Sequence, residues 1–459
     1  MDENKKTLTL IGAAVVLAGL ALLLAPKRIT PEAFLDQGAP FFPEFTDPNE
    51  ATSLEVIDFD SVSGTARPFK VEFADGRWSI PSHHNYPADG KDRLAKTAAG
   101  VIGIKKDDFR SDNVADHEAC GVIDPLDAAA GLNGRGQRVT IRGGSGQVLS
   151  DVIFGKAVEG REGFRFARVP DQKRVYAVRA NVDISTEFKD WIESDLLQVD
   201  KVKIDRIQLR DYSINERTLS IDQRENFVLE QKEGVWKANN LKSDQQVDSA
   251  KMQSLLTTLD DLTIVGVRPK PPGISASLRK AEGGQLSQAD LLSLQSAGFY
   301  LTRDGQLMSN EGELQVHTKD GVNYTLRFGE VVYGSGLAVT AGTGERPGEG
   351  SSGASQNRYL FLTAEFDPGS VSEPKQPTST AFLNKPDSLW TEADRADKSL
   401  QDAHDRWQRN RETSRTTAET LNARFAGWYY VISAESFQKL RLQRKDIVVK
   451  KEDKPKSSE

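Results

Sequence analysis

The sequence predicts an α+β fold: two tandem duplicated domains, each a mainly antiparallel sheet packed with helices, behind one N-terminal transmembrane helix. The first observation behind this is a stretch that occurs twice. Phe69–Asp89 reads FKVEFADGRWSIPSHHNYPAD, and near Phe227 the chain reads FVLEQKEGVWKANNLKSDQQVD. Both run aromatic, apolar residue, Glu, acid-Gly, Trp, and Phe69 to Trp78 spans nine positions, as does Phe227 to Trp236. Internal repetition fixes the number of folding units and is sought first. The second observation is that the same further landmarks follow each copy in the same order. The third is Thr7–Ala25, uncharged over 19 residues, just long enough to cross a bilayer as a helix.

The totals bound the classes open to such a chain. At 459 residues the length suits about three domain-sized units. With 37% hydrophobic and 28% charged residues, the body is a folded one and not a disordered or collagen-like chain. Sixty basic against 67 acidic residues give a net charge of −7, which argues against a nucleic-acid-binding surface as the main function. Cys120 is the single cysteine, so neither an intrachain disulfide nor a cysteine-based metal centre can form.

In chain order, residues 1–6 read as a short cytoplasmic head and 7–25 as an uncleaved membrane anchor flanked by Lys5, Lys6, Lys27 and Arg28. Cleavage is disfavoured because Ala25 precedes Pro26 and Leu23 stands where a small residue is wanted. Long domains translocate largely regardless of charge, so the bulk of the chain is expected outside the cytoplasm, as a single-pass protein of the inner membrane. Residues 26–50, Pro-rich, read as a tether.

The first repeat domain is placed at 51–200. Leu54–Asp60 alternates like a half-buried strand, Phe69–Phe73 is a second strand, Asp75-Gly76 the hairpin turn, and Arg77–Ile80 the returning strand ended by Pro81. Asp89 is a candidate N-cap for a helix carrying Leu94, Ala98, Val101 and Ile102. Cys120-Gly121 to Pro125 reads as a helix end running into a turn. Four strands follow at Arg138–Ile141, Val148–Phe154, Phe164–Val169 and Arg174–Val178, and Val182–Leu197 is predicted to close the unit as a helix.

The second domain, 201–440, takes the same order. Ile207–Asp211 plays the role of Leu54–Asp58. Asp248 leads a helix with Met252, Leu255, Leu259 and Leu262 on one face, and Ser296-Ala297-Gly298 stands for Ala119-Cys120-Gly121. Leu314–Thr318 and Tyr324–Phe328 pair, Phe328-Gly329-Glu330 repeats Phe154-Gly155-Lys156, and Trp428–Phe437 runs from strand into closing helix. Insertions fall at 342–357, flexible by composition, and at 368–426. In the latter Leu389, Ala393, Ala396, Leu400, Ala403 and Trp407 form a heptad seam that resumes at Ala418, Leu421 and Phe425. A long helix lying on its own domain is preferred over one offered to a partner's groove. Residues 441–459 read as a tail, disordered towards its end.

Candidate chemistry is sparse. His83-His84, with Asp89 as an imagined third ligand, invites a metal reading, but adjacent histidines in a strand point to opposite faces. The other histidines, His117, His317 and His404, lack metal-ligand spacing. Gly143-Gly144-Ser145-Gly146 lacks the following Lys-Ser/Thr and helix of a phosphate loop and reads as a hairpin turn. Cys120 could be a reactive thiol, yet Ala297 at the matching place favours an inert small residue. Trp78, Trp236, Phe69 and Phe227 could form a carbohydrate platform, but repeated aromatics on a hairpin are expected to anchor the core. No catalytic, cofactor-binding or metal residue is assigned.

Asp75-Gly76-Arg77-Trp78, Tyr86-Pro87-Ala88-Asp89, Gly121-Val122-Ile123-Asp124-Pro125, Phe154-Gly155-Lys156 and Val175-Tyr176-Ala177-Val178 come in an order that resembles a bacterial family, domain-of-unknown-function family 4340. The second copy keeps Gly234-Val235-Trp236, Phe328-Gly329 and Tyr430-Val431 but lacks the Tyr-Pro-Ala-Asp and Asp-Pro elements. The resemblance implies tandem copies behind one transmembrane helix, and association with gliding-type ABC transporter components. On it, the chain is expected to be a non-enzymatic accessory or scaffold protein with protein partners, no cofactor and no nucleic acid. The alternative is an extracytoplasmic binding module for cell-wall polymer or another envelope ligand, which grooved, exposed aromatics would favour.

Overall fold

Alternating apolar and polar residues produce strands here, and glycines with positive φ close the hairpins between them. The structure, a computed structural model, describes residues 11–19, 35–215, 218, 220–280, 286–302, 305–334, 336–342 and 356–451. It is a mixed α+β protein with large antiparallel sheets. Its strands in the first half are β1 (Ala51–Asp60), β2 (Thr65–Ala74), β3 (Arg77–Ile80), β4 (Tyr86–Pro87), β5 (Asp108–Ser111), β6 (Gln137–Gly143), β7 (Val148–Ala157), β8 (Phe164–Arg168) and β9 (Val175–Arg179). They form one sheet in the order β4-β3-β2-β1-β6-β7-β8-β9-β5. Asp75 and Gly76 both take positive φ, 53° and 75°, which turns β2 into β3 as the acid-Gly pair predicts.

The second half contributes β10 (Ile204–Asn215), β11 (Ser220–Lys232), β12 (Val235–Ala238), β13 (Gln245–Val247), β14 (Gly266–Pro269), β15 (Phe299–Leu301), β16 (Leu307–Ser309), β17 (Glu313–Thr318), β18 (Val322–Val332), β19 (Asn357–Phe366), β20 (Trp428–Ile432) and β21 (Val448–Lys450). Its main sheet runs β12-β11-β10-β17-β18-β19-β20-β14. This repeats β3-β2-β1-β6-β7-β8-β9-β5 strand for strand. The registers agree as well: Leu54 faces Ile141 and Ile57 faces Arg138 in the first sheet, Ile207 faces Val316 and Arg210 faces Glu313 in the second. Trp78 and Trp236 take the same place, second on the returning hairpin strand, half-buried, while Phe69 and Phe227 are buried.

Residues 11–19 form helix α1. It is shorter than the predicted span 7–25, whose remaining residues lie outside those described, and no described helix is long and apolar enough to cross a membrane. Helix α2 (Lys91–Ile102) buries Leu94, Ala98 and Val101 as predicted. It starts after Gly90, not Asp89, where a Cβ would come within 3.0 Å of the Val71 side chain. The short α3 (His117–Cys120) ends at left-handed Gly121, φ 71°. Helix α4 (Ser249–Asp260) is N-capped by the Asp248 carboxylate, which accepts from Ala250 and Lys251 N–H at 2.8 and 3.0 Å.

Then come α5 (Pro272–Lys280), α6 (Gln288–Ser296), α7 (Leu337–Thr340), α8 (Glu392–Ala426), α9 (Ala434–Leu440) and α10 (Arg444–Ile447). The chain divides into two units, Met1–Lys70 with Asp92–Ile184 and Val71–Lys91 with Ser185–Glu459. In the first, Leu54, Val56, Val139, Ile141 and Val152 are wholly buried; in the second, Ile207, Leu229, Val316, Leu326 and Leu360 are.

Several expectations need correction. Val182–Leu197 is not a helix: it is irregular apart from a single turn, Phe188–Trp191. Ser185 organises that turn, its carbonyl accepting from the buried Trp191 indole at 2.9 Å and its hydroxyl donating to Asp190. Residues 35–50, expected as part of a tether, pack on the first unit. Phe41 and Phe45 are buried, and the backbones of Ala39 and Phe41 bond those of Lys106 and Ile104. Residues 441–451 are not a loose tail, since β21 pairs with β13; 452–459 lie outside the described residues, as does most of the insertion at 342–357. Helix α8 does lie on its own unit, but through Ser414, Ala418, Leu421 and Phe425. At the other end of the predicted seam Leu389, Ala393 and Ala396 are exposed, because Asp394 and Asp397 turn inward instead. Asp394 closes a capping box with Thr391 and pairs with Lys385 at 2.9 Å, and Asp397 accepts from Thr378 N–H at 2.8 Å.

The Gly-Val-Ile-Asp-Pro stretch has a distinct role in the first unit. Arg135 points into the loop that follows it, its guanidinium donating to the carbonyls of Gly131, Asp124, Pro125, Asp127 and Ala130. Its other face lies over Phe59, 4.3 Å from the ring centroid. Five carbonyl oxygens around one guanidinium satisfy backbone groups that would otherwise be bare in an irregular loop.

Candidate functional site

Pro81 fixes the first residue of a tight turn, Pro81–His83, after β3. His84 and Asn85 then both adopt φ 58°, a left-handed reversal uncommon for residues with side chains. The reversal returns the chain so that Tyr86 faces Ile80 in β4, and Ala88 N–H donates to Trp78 O at 3.0 Å. His84 is held in that conformation by its Nε2, 2.6 Å from Ala341 O. The Tyr86-Pro87-Ala88-Asp89 turn built this way, with Arg77 on β3, forms one wall of a cavity of about 1080 Å³ within the second unit. The other wall comes from Pro269 at the end of β14, Lys270, the start of α5, and Arg424 and Trp428 where α8 passes into β20.

Electrostatics within this region follow burial. Lys270 is only 5% exposed; its amine donates to Phe425 O at 3.0 Å and sits 3.6 Å from the Phe361 ring centroid. Burial, reinforced by Arg327, pushes this amine well below its ordinary value. The amine thus binds the carbonyl end of α8 as a hydrogen-bond donor, and the backbone N–H of Lys270 donates to Gly427 O. His83 is buried, stacked on Phe188 at 4.5 Å, with Nε2 2.9 Å from Thr340 Oγ1. Burial lowers its pKa to about 4, with further lowering from the neighbouring His84 and Arg268. Tyr86 is buried against Phe188 and Trp428, its hydroxyl pushed up by burial.

Residues 78–281 match the model of the family described as Domain of unknown function (DUF4340). Over this stretch, somewhat under half of its length, the chain is similar to the DUF4340 family. The match runs from Trp78 on β3 to just beyond α5, so it includes the Tyr-Pro-Ala-Asp turn and Lys270 but not Arg424 or Trp428. No curated protein and no solved structure matches the chain.

The fold does not gather the histidines into a metal site among the described residues. His83 and His84 lie in a turn, not a strand, and each bonds the α7 end. Among the described residues no group of three His, Cys, Asp or Glu is placed to hold an ion. His117 Nε2 lies 2.8 Å from Lys173 O, and His404 Nε2 lies 3.3 Å from Glu373. His317 is partly buried, and burial lowers its pKa. Gly143–Gly146 closes the β6–β7 hairpin as expected, Gly143 N–H donating to Gln147 O. Cys120 is buried and its thiol raised by burial, and a Cβ on Gly155 would strike its carbonyl. Ala297 and Gly329 repeat that contact, so this position serves backbone packing. Lys270, Arg424 and Trp428 were not singled out as site residues from sequence. Only the Pro269-Lys270-Pro271-Pro272 run signals that Lys270 sits in a rigid, non-repeating place.

Proposed function

We propose that this is a non-enzymatic, membrane-anchored accessory or scaffold protein of a bacterial envelope, built of two duplicated domains and associated with an ABC-type, gliding-type transport system. The observation that carries the reading is the family match over residues 78–281, joined to the resemblance in residue order described above. Duplication is supported by the identical order of eight strands in the two sheets and by the paired hairpin tryptophans. Anchoring through residues 7–25 is supported by α1, whose Ile11, Val15, Val16 and Leu17 are each more than half exposed; apolar side chains uncovered along a helix suit a lipid environment. An accessory role is supported by the use of His83, His84, His117 and Lys270 in bonds that hold turns and a helix end. Affinity purification of the full chain from native membranes tests the reading: ABC transporter subunits should co-purify, and their absence under gentle extraction would overturn it. A C-terminal alkaline phosphatase fusion should be active, and activity of a cytoplasmic reporter there instead would reverse the orientation.

A further inference from the structure

We propose that the cavity in the second unit binds a neutral glycan strand, with Trp428 as the stacking face and Asp89 and Arg77 as the groups that read hydroxyls. This goes beyond the accessory role and does not depend on it. Trp428 is half-buried, braced by Tyr86 at 5.0 Å between ring centroids, and its indole N–H has no acceptor among the described residues. An indole held edge-on to a second ring presents a fixed apolar face and one donor, which suits the C–H face and hydroxyl rim of a sugar.

Asp89 gives the second, independent observation. Its counterpart in the second copy, Asp248, has its carboxylate committed to capping α4. Gly90 displaces Asp89 from the start of α2, and its side chain makes no hydrogen bond or ion pair with a described residue. Arg77 is likewise uncommitted. Around the cavity, Arg77 and Arg424 balance Asp89 and Glu193, while Lys270 faces Phe425 and the Phe361 ring. Balanced charge selects against polyanions and favours a ligand rich in hydroxyls, which carboxylates accept from and guanidinium groups donate to. The volume, about 1080 Å³, exceeds the roughly 300–1,000 Å³ of ordinary small-molecule sites, so it fits several linked rings. Pro87 and Pro269 in the walls reduce the ordering that binding requires.

The test is titration of the full-length protein in nanodiscs with chitohexaose and maltohexaose, followed by calorimetry and tryptophan fluorescence. One of these should bind with a change in emission, and W428A and D89N should each weaken it at least tenfold. D89N removes a charge without a folded partner, so its melting temperature should equal wild type, and W236A, outside the cavity, should bind normally. No heat with either hexasaccharide at millimolar concentration, or unchanged affinity in both W428A and D89N, overturns the proposal. Tighter binding of polygalacturonate than of both neutral sugars overturns it too.

Discussion

The two sheets place opposite charges at one matching position, and the way each is neutralised separates what the fold demands from what it tolerates. On β6, Arg138 faces Ile57 and is held by Asp124 at 2.9 Å and Asp151 at 2.6 Å. On β17 the corresponding residue is Glu313, opposite Arg210 at 2.6 Å, with Arg327 at 3.4 Å and the Tyr212 hydroxyl at 3.1 Å. The sign is reversed while the topology is kept, so the fold requires a satisfied polar group there and not a particular charge. Burial differs: the Glu313 side chain is 2% exposed against 24% for Arg138. By contrast, Gly155 and Gly329 are the same residue in the same contact, because a backbone oxygen leaves no room for a side chain in either sheet.

The comparison is most sharply tested by Glu313→Ala. It leaves Arg210 and Arg327 without their buried carboxylate and should cost about 3–5 kcal/mol in urea unfolding; a loss under 1 kcal/mol would show that the pair is dispensable. The pH dependence of His83 comes next. Its pKa is about 4 when folded and about 6.5 when unfolded. Between these values the unfolded chain binds a proton that the folded chain does not, so stability present above pH 6.5 is lost as the pH falls towards 4. The slope from this one group should approach 1.4 kcal/mol per pH unit, and His83→Gln should remove that part of the slope. An unaltered pH profile in the variant would count against it.

Gly155→Ala and Gly329→Ala should each cost about 2–3 kcal/mol through overpacking against a carbonyl, and the two should match within about 1 kcal/mol if the contacts are equivalent. A neutral result in only one sheet would break the equivalence. The smallest effect is expected for Arg138→Gln, about 1–2 kcal/mol, since its two partners can turn to solvent. Equal losses at Arg138 and Glu313 would mean that burial does not set the cost.

The strands were legible because their signals are local: period-two patterning, an acid-Gly turn with positive φ, and Gly121 and Gly298 ending helices. Val182–Leu197 misled because Phe188, Trp191 and Ile192 have spacing compatible with a helix, while the Ser185 hydrogen bonds that decide the turn have no periodic mark. The α8 seam misled in a related way: alanines set the pattern, yet Asp394 and Asp397 found partners in residues 378–391 and rotated the helix. Of the cavity, Arg77, His84 and Tyr86–Asp89 stood out in the sequence. Lys270, Arg424 and Trp428 come from more than 180 residues further on, and no local pattern announces which distant side chains will share a wall.

The ring of carbonyls around Arg135 resembles, in geometry of supply, what a loop offers to a bound ion, but its occupant is covalently part of the chain. The shape of residues 124–135 is therefore set by a side chain that cannot diffuse away, so neither chelators nor a change in calcium supply should loosen it.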